Sequence, residues 1–447
     1  MRKIIISIKH VSLISFLLFV IVVTASNCTD DSKFENYTNY TEQKESYIRT
    51  KEEAFRIADQ AKDMLSNQNE TRSGQSRIVD KESLQVICNS KTRSDTSDTL
   101  IYIVNYADNE GFAIISAIQG TDEILGITEM GNYEDAVAEN TGFSLFMEMA
   151  EEYVKNKTRF PGDPLIETIT TMIGSVNPLL NVTWGQKFPE GLYCPNTMAG
   201  CAITAIIQIC SYYEYPTSMT LTFSQRERDV ISINWTEVKK HHRGCGSWVS
   251  HTNCTASVNS HKVIGEMARQ CGVYSDTEYK NNGVVMSNNT PAPYIYYDYH
   301  SWPNASTLTH PDSPTGQDAL DMIETLGFAR PQPQDYSSKC TRYPLSVGKP
   351  IYMFGSHSSS SFDGHAWVID GYKYYKDTTI NHATEPVTIT ESYRYYNHIN
   401  WGDNGVSNGY FLDNVFSTNA AYSYDNPSLG ISTASYSYLL IYFPVTL

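Results

Sequence analysis

The hydrophobic pattern of residues 46–165 predicts a small α+β domain. Apolar residues recur at helical spacing directly after a capping box that begins at Thr50. Two short β-branched runs, residues 100–104 and 111–118, predict a pair of strands with a turn between them. A second amphipathic helix is predicted around residues 143–154.

The pattern changes after a Pro-Gly-Asp-Pro break at residues 161–164, and from residue 170 to residue 447 it predicts helices first and strands last. Buried helices are predicted where apolar residues recur over 203–210 and 263–271. Aromatic and β-branched runs then predict strands at residues 351–354, 366–372, 392–401 and 409–415. This order is typical of an α+β domain.

The first 28 residues resemble an export signal more than a membrane-spanning helix. Basic residues precede an apolar run at 11–23, which is too short to span a bilayer stably, and small residues follow it. Cys28 ends the segment, and the acidic residues after it resemble the export tag of surface lipoproteins. Two outcomes stay open: a lipid on Cys28 that anchors the protein at the outer membrane or cell surface, or plain secretion. Residues 29–45 are polar and predict a tether.

The net charge of the chain makes some classes of binding partner less suitable than others. The chain has 447 residues and a formal net charge of −16. An acidic protein of this kind repels phosphate backbones, so we expect no nucleic-acid partner. The same charge gives no sign of a polybasic membrane patch, which leaves a lipid on Cys28 as the one predicted route to a membrane.

Nine cysteines are an odd number for an exported chain. Cys245 and Cys254 flank a short segment, where they either form a local disulfide or stay as buried thiols. His241, His242 and His251 lie nearby, but their spacing matches no zinc pattern, so we expect no metal site.

The strongest candidate for chemistry is Cys201, which opens the predicted helix at 203–210. A thiol at a helix N-terminus faces unpaired backbone N–H groups and the positive end of the helix dipole, and both favour the nucleophilic thiolate. Taken alone, such a cysteine is more often a small buried apolar residue, as we expect Cys210 to be.

Three further segments carry residue types that suit a cysteine nucleophile. His365 enters an apolar strand, where a neutral imidazole could take a proton from a thiol. Asn400 and Trp401 could orient such an imidazole and shield it from water. Gln186, upstream of Cys201, carries an amide that could donate to a developing oxyanion. Each segment alone also fits an ordinary strand end, turn or surface residue.

Together, in the order Gln, Cys, His and Asn-Trp, these segments resemble streptopain and related bacterial cysteine peptidases. The matching stretches are Trp184-Gly185-Gln186, Gly200-Cys201, residues 364–371, His398 through Gly402, and residues 405–411. The N-terminal region resembles the inhibitory prodomain of that family at residues 53–58, 102–105, 111–116 and 124–126. The resemblance covers most of residues 46–415.

The resemblance implies a papain-like, two-lobed catalytic domain over 170–447, with a helical lobe followed by an antiparallel β lobe. It also implies an autocleaved inhibitory prodomain over 46–165. The expected activity is that of an endopeptidase that cuts protein or peptide substrates and needs no cofactor. The alternatives are an acyltransferase or amidase on the same fold, or a surface-binding lipoprotein without activity.

The resemblance also assigns roles to the candidate residues. It implies that Cys201 is the nucleophile and His365 the general acid–base, with Asn400 and Trp401 orienting and shielding His365. The Gln186 side chain and the backbone N–H of Cys201 would form the oxyanion hole.

Two residues depart from the family pattern, and one boundary can be predicted. Asp403 and Asn404 stand where the family usually has a second Trp and a Gly, so we expect an altered substrate cleft or lid. We expect the mature enzyme to begin between residues 159 and 180, because Gln186 must be retained for the oxyanion hole. We also expect the prodomain to hold the cleft closed or to displace His365 from Cys201.

Overall fold

The computed structural model describes most of the chain after residue 46. The described residues are 47–65, 77–88, 99–139, 141–157, 166–194, 197–220, 230–241, 256–274, 317–332, 334–336, 340–356, 364–416 and 439–447. From Arg49 onward they belong to one compact unit. Within these ranges no helix is long and apolar enough to cross a membrane. The predicted signal, Cys28 and the tether lie outside them.

The N-terminal region contains the predicted mixture of helices and strands. Its elements are α1 Lys51–Ala61, β1 Gln85–Cys88, β2 Thr99–Asn105, β3 Phe112–Ser116, β4 Ile124–Thr128, α2 Tyr133–Glu139 and α3 Thr141–Lys155. The capping box predicted at Thr50 is confirmed: its hydroxyl accepts from the Glu53 N–H at 3.2 Å, and the Glu53 carboxylate accepts from the Thr50 N–H at 2.6 Å.

The second region has helices first and antiparallel strands last, as the sequence predicts. It begins with β5 Ile166–Val176, α4 Cys201–Tyr213, β6 Ser218–Thr220, β7 Val230–Ser232, α5 Trp235–Val238, α6 Val258–Tyr274, α7 Gln317–Thr325, β8 Gln334–Asp335 and α8 Arg342–Ser346. It continues with β9 Ile351–Ser356, β10 Gly364–Asn381, β11 Thr388–Asn400, β12 Gly409–Leu412, α9 Asp413–Phe416 and β13 Leu439–Pro444. The apolar side chains of α4 pack with those of α6 and α7 and with β9 and β10 in one core, so the α+β class is confirmed.

One antiparallel sheet runs through both regions. Its strand order is β1-β2-β3-β4-β12-β11-β10-β9-β13-β8, with β5 added beside β10. The junction is the pairing of β4 with β12, where Thr128 lies opposite Gly409 and Gly126 opposite Phe411. A Cβ at Gly126 would lie 2.9 Å from the Phe411 ring, so this close approach needs glycine. The predicted prodomain therefore shares its sheet with the predicted catalytic domain.

Strands β5, β10 and β11 form a long arm that the hydrophobic pattern does not predict. The second half of β10 pairs with β5 on one side and with β11 on the other. The Tyr374 and Tyr395 rings stack at 3.9 Å on this arm. Arg394 Nη2 donates to the Asp377 carboxylate at 2.7 Å. The catalytic region therefore gains a strand that starts at Ile166, before the expected boundary at residue 170.

Candidate active site

Cys201 is the first residue of α4, and the backbone before it is shaped by a glycine. Gly200 has a φ of 95°, a conformation that favours glycine over any other residue. A Cβ built on Gly200 would meet no atom of the described residues within 4 Å, so there is open space beside Gly200 itself. The helix start therefore leaves room for a substrate backbone at Cys201.

His365 lies near the start of β10 and faces both Cys201 and the loop after β11. Its Nε2 lies 3.0 Å from the carbonyl oxygen of Trp401. Because a carbonyl can only accept, Nε2 carries the proton and donates it. The Nδ1 atom is then left for the hydrogen bond between His365 and the Cys201 thiol. This is the tautomer that a general base for Cys201 requires.

The protonation of the thiol and the imidazole is coupled. Burial alone would raise the pKa of the Cys201 thiol, but the charge and hydrogen bond of His365 bring that pKa below its usual value. Backbone hydrogen bonds from Ala202 and Ala366 act in the same direction. Burial alone would lower the pKa of His365, yet Cys201 and the Trp401 carbonyl raise it. Both shifts favour a thiolate beside an imidazolium.

Indole rings screen the His365 imidazole from water. The Trp401 side chain is 0% exposed, and its ring packs against Trp367 at 5.2 Å. The Trp367 ring is stacked against the His365 ring at 6.3 Å, with an angle of 19° between the planes. The position of Trp401 therefore fits the shielding role that the family resemblance implies.

Asn400 has a different set of contacts from those the sequence predicts. Its Nδ2 donates to the Val182 carbonyl at 3.0 Å, and its Oδ1 accepts from the Gly402 N–H at 3.2 Å. The expected bond from the imidazole to the Asn400 amide is replaced by the bond to the Trp401 carbonyl. The reason is geometric: the chain turns after β11 so that the next carbonyl, not the Asn400 side chain, reaches Nε2. The two hydrogen bonds of the Asn400 side chain therefore stabilise that turn.

Gln186 belongs to the short segment 184–186, and three hydrogen bonds join this segment to α4 and to the residues that precede α4. The Gln208 side chain donates to the Trp184 carbonyl at 2.8 Å, and the Thr204 hydroxyl donates to the Gly185 carbonyl at 3.3 Å. The Ala199 N–H donates to the Gln186 carbonyl at 2.7 Å. Gln186 is thereby held beside the residues that precede Cys201.

Thr204 and Gln208 were not among the residues predicted from the sequence. Both lie on α4 at helical spacing from Cys201 and are fully buried. A buried Thr and Gln within an otherwise apolar helix were the available signal, because a buried polar side chain needs a partner.

The two residues that depart from the family pattern lie in the loop after Trp401. A Cβ on Gly185 would come within 2.5 Å of Nδ2 of Asn404, so Asn404 packs directly on the segment that carries Gln186. The charge of Asp403 helps to raise the pKa of His365. The loop therefore contacts the segment that carries Gln186 and acts on the charge of the His365 imidazole.

The N-terminal region enters the site through the start of α3. A Cβ on Gly142 would lie 2.3 Å from Cδ2 of His365 and 2.9 Å from Cε3 of Trp401, so Gly142 is already packed against both rings. The next residue, Phe143, places its ring edge-on to Trp401 at 6.5 Å. Phe146, one turn later, meets Phe411 of β12 at 4.8 Å. His365 keeps its contact with Cys201 despite this packing, so the displacement of His365 that was one of two expectations is not observed.

The other cysteines and histidines lie away from this site or outside the described residues. Cys210 is buried within α4, and burial raises the pKa of its thiol. His241 is buried with its Nε2 3.5 Å from the Glu190 carboxylate. Within the described ranges, no group of three or more His, Cys, Asp or Glu side chains could hold a metal ion. The suggested disulfide of Cys245 with Cys254, together with His242 and His251, falls in residues that are not described.

Comparison with protein families yields two matches that together span most of the chain. Residues 182–411 match the Peptidase C10 family. Residues 47–154 match a second family, described as Spi protease inhibitor. The first range contains Gln186, Cys201, His365 and Asn400-Trp401, and the second contains Gly142.

Individual relatives give the same picture at low identity. Streptopain of Streptococcus pyogenes is 22% identical over 352 residues, which is 71% of this chain and 74% of the relative. The Thiol protease/hemagglutinin PrtT of Porphyromonas gingivalis is 20% identical over 347 residues, which is 72% of this chain and 35% of the relative. Among solved structures, prointerpain A of Prevotella intermedia is 19% identical with a TM-score of 0.47, covering 80% of this chain and 98% of that one.

Proposed function

Because the chain belongs to the Peptidase C10 family and is a cysteine peptidase with an inhibitory prodomain, we propose that Cys201 is its nucleophile and His365 its general acid–base. One observation carries this assignment. The thiol stands at the start of α4 beside His365, and that contact lowers the pKa of the thiol. The substrates are proteins or peptides, and the class of reaction is hydrolysis of a peptide bond.

In this mechanism the Cys201 thiolate attacks the carbonyl carbon of the scissile bond. The negative charge that develops on the carbonyl oxygen is met by the backbone N–H of Cys201 and by the side chain of Gln186. The His365 imidazolium gives its proton to the departing amine, which leaves a thioester on Cys201. A water molecule then attacks the thioester, His365 takes its proton, and the acid product leaves with the thiolate restored.

An acyltransferase, an amidase or an inactive binding protein would use the same fold differently. A match to a protease inhibitor over residues 47–154 favours the peptidase, because an inhibitory domain protects the producing cell from proteolysis. A protein that only binds its target would have no need for this inhibitor.

We assign inhibition in the precursor to the start of α3. Gly142 packs against the His365 and Trp401 rings, and in this proposal that packing blocks the approach of a substrate to the dyad. The dyad is left assembled underneath, since the pKa of Cys201 is lowered by His365 in this same arrangement. The precursor would then be inactive because its site is covered, and removal of α3 would be enough to open it.

The proposed cut lies between the prodomain and the catalytic domain. The sequence places it between residues 159 and 180, and the pairing of β5 with β10 favours the part before Ile166. A cut within β5 would separate residues that are held together by a long ladder of backbone hydrogen bonds. The catalytic chain that begins near residue 166 keeps both β5 and Gln186.

We further propose that the enzyme works outside the cytoplasm, where the N-terminal export pattern would deliver it. Attachment of a lipid to Cys28 would hold the precursor at the membrane surface, and the proposed cut before Ile166 would separate the catalytic domain from that anchor. Mass measurement of the N-terminal peptide of the uncleaved Cys201→Ala precursor tests this point: acyl mass on Cys28 supports the anchor, and an unmodified N-terminus downstream of residue 28 supports secretion.

The decisive experiment on the catalytic assignment compares Cys201→Ala with Cys210→Ala. We expect Cys201→Ala to abolish peptide cleavage and to accumulate as the full-length chain, because part of the processing is done by the enzyme itself. Cys210→Ala removes a buried thiol from the same helix and should lower stability while keeping cleavage. Turnover of a peptide substrate by purified Cys201→Ala would rule out the assignment.

A further inference from the structure

A buried charged cluster lies where the prodomain meets the catalytic sheet. His398 of β11 is 4% exposed, and its Nδ1 lies 2.6 Å from Oδ1 of Asp370 on β10. Lys373, further along β10, is also 4% exposed, and its ammonium lies 4.9 Å above the Tyr410 ring. These three residues, His398, Lys373 and Asp370, are called the socket below. All of them belong to the catalytic region.

The prodomain closes the socket from the other side. Glu129 directly follows β4, and its carboxylate lies 3.4 Å from Nε2 of His398. The Glu129 N–H also donates to the Asn408 carbonyl at 2.7 Å, which extends the β4–β12 pairing by one residue. Lys373 donates to the backbone carbonyl of Met64 in the prodomain. Two groups of the prodomain therefore meet the two cations of the socket.

The charges of the socket residues do not balance without a further carboxylate. With His398 protonated, the socket holds two positive charges and one carboxylate, Asp370. Asp370 is already engaged, because its Oδ2 accepts from the Leu180 N–H at 3.1 Å. A buried excess of positive charge is costly unless a partner supplies a negative one. Glu129 supplies that charge and is 38% exposed on the prodomain surface.

We propose that the socket is a binding site for one carboxylate at the end of an extended inhibitory strand, and that Glu129 is the residue that supplies this carboxylate. This inference rests on the proposed inhibition by the prodomain and adds its chemical determinant. The inhibitory strand must have a glycine where Gly126 faces Phe411, because there is no room for a side chain. It must also carry an acidic residue directly after the last residue that pairs with β12.

The pH dependence of prodomain docking follows from the groups that face His398. These are Asp370 and Lys373 of β10, Glu129 after β4, and Tyr410 of β12, whose ring lies 5.0 Å from the imidazole. Burial lowers the pKa of His398, but Asp370 and Glu129 raise it to about 10. Because that pKa is raised, the contribution of His398 to docking is present at neutral pH and is lost only in alkali. On the acid side, docking weakens where glutamate carboxylates take up protons.

The test uses the full-length precursor with Cys201 intact and a thiol-reactive probe. The measured quantity is the rate of labelling of the uncleaved band, divided by the rate for the processed enzyme at the same pH. The processed enzyme is separated from its released prodomain before labelling, so the reference rate has no contribution from residue 129 and the ratio reports only how often the prodomain uncovers the dyad. Glu129→Gln is compared with Glu82→Gln, which removes one carboxylate from an exposed position of the same region.

We expect Glu129→Gln to raise the ratio about tenfold at neutral pH, the effect of losing one partly exposed charge-assisted contact. The ratio of the wild type should rise toward that of the variant as the pH falls below the ordinary glutamate range of about 4, because the cations of the socket favour the ionised carboxylate, while the ratio of Glu129→Gln stays flat. Glu82→Gln should behave as the wild type does. An unchanged ratio in Glu129→Gln, or a pH dependence that the variant keeps, overturns the proposal. A processed enzyme that does not label at all would instead contradict the assignment of Cys201.

Discussion

Gly142 offers the most direct test of how the precursor is kept inactive. In Gly142→Ala the added methyl would lie 2.3 Å from Cδ2 of His365 and 2.9 Å from Cε3 of Trp401, whereas ordinary contacts begin at 3.4 Å. The gap at His365 must therefore open by about 1 Å. The imidazole has little freedom to give way, since Nε2 is bonded to the Trp401 carbonyl and Trp401 is fully buried. We expect the start of α3 to move away from the site.

The size of the effect can be bounded from the packing. Overpacking of this kind costs about 1–3 kcal/mol, which corresponds to roughly five- to 150-fold weaker docking of the prodomain. The substitution also raises helix propensity by up to about 1 kcal/mol. That gain acts on α3 itself, whether docked or not, so it does not offset the clash. The net expectation is easier access to Cys201 in a prodomain that is still folded.

The assay follows labelling of Cys201 by a thiol-reactive probe on the full-length band. Gly142→Ala should label faster than the wild type by a factor within the range given above, and it should be processed to the mature form sooner. Ser144→Ala serves as the control, because it raises helix propensity two residues later without placing an atom against His365. If Gly142→Ala labels at the wild-type rate while Ser144→Ala does the same, then Gly142 does not cover the dyad.

Two further predictions follow from the site. The reactivity of Cys201 toward an alkylating reagent should persist to lower pH than that of an ordinary thiol, because contact with His365 lowers its pKa; in His365→Ala the reactivity should shift to higher pH, and an unshifted profile would contradict the pairing. Asn400→Ala should lower the free energy of unfolding by about 1–3 kcal/mol, because it leaves the Val182 carbonyl unpaired, and should leave the pH profile of kcat in place. A shifted profile in Asn400→Ala would mean that its amide orients His365 directly.

Cys201 and His365 could be proposed as the catalytic pair because four segments occur together in the order of the family, although each segment alone also fits an ordinary helix start, strand end or turn. Cys201 begins an apolar helix and His365 enters an apolar strand, and both patterns are visible in a few residues. The contacts of Asn400 could not be predicted in the same way. Whether its side chain or the next carbonyl reaches His365 depends on how the turn after β11 is oriented, and there the Asn400 side chain is bonded to Val182 in a distant segment.

Strand β5 and the arm show where hydrophobic patterning fails. Side chains of β5 are mostly exposed, so there is no buried face to impose alternation on the sequence. The strand exists because β10 offers a free edge beyond the end of β9, a partner far away in the chain. The β4–β12 junction is likewise a contact between distant segments, and nothing within residues 124–128 alone identifies which strand it will join.

The contacts that hold the prodomain on the catalytic domain differ from the contact by which it covers the dyad. Its adhesion comes from the β4–β12 pairing, the Glu129 contact with the socket and the aromatic packing of Phe146, whereas its action on the dyad comes from Gly142. A cut before Ile166 lies after α3 and breaks none of these contacts. Cleavage therefore changes the connectivity but leaves the cover in place, and opening the site requires a separate step in which β4 leaves β12. Because that step exposes a sheet edge and two buried cations, its rate depends on the charge at residue 129, and the socket is therefore the point at which a change of pH would act on activation.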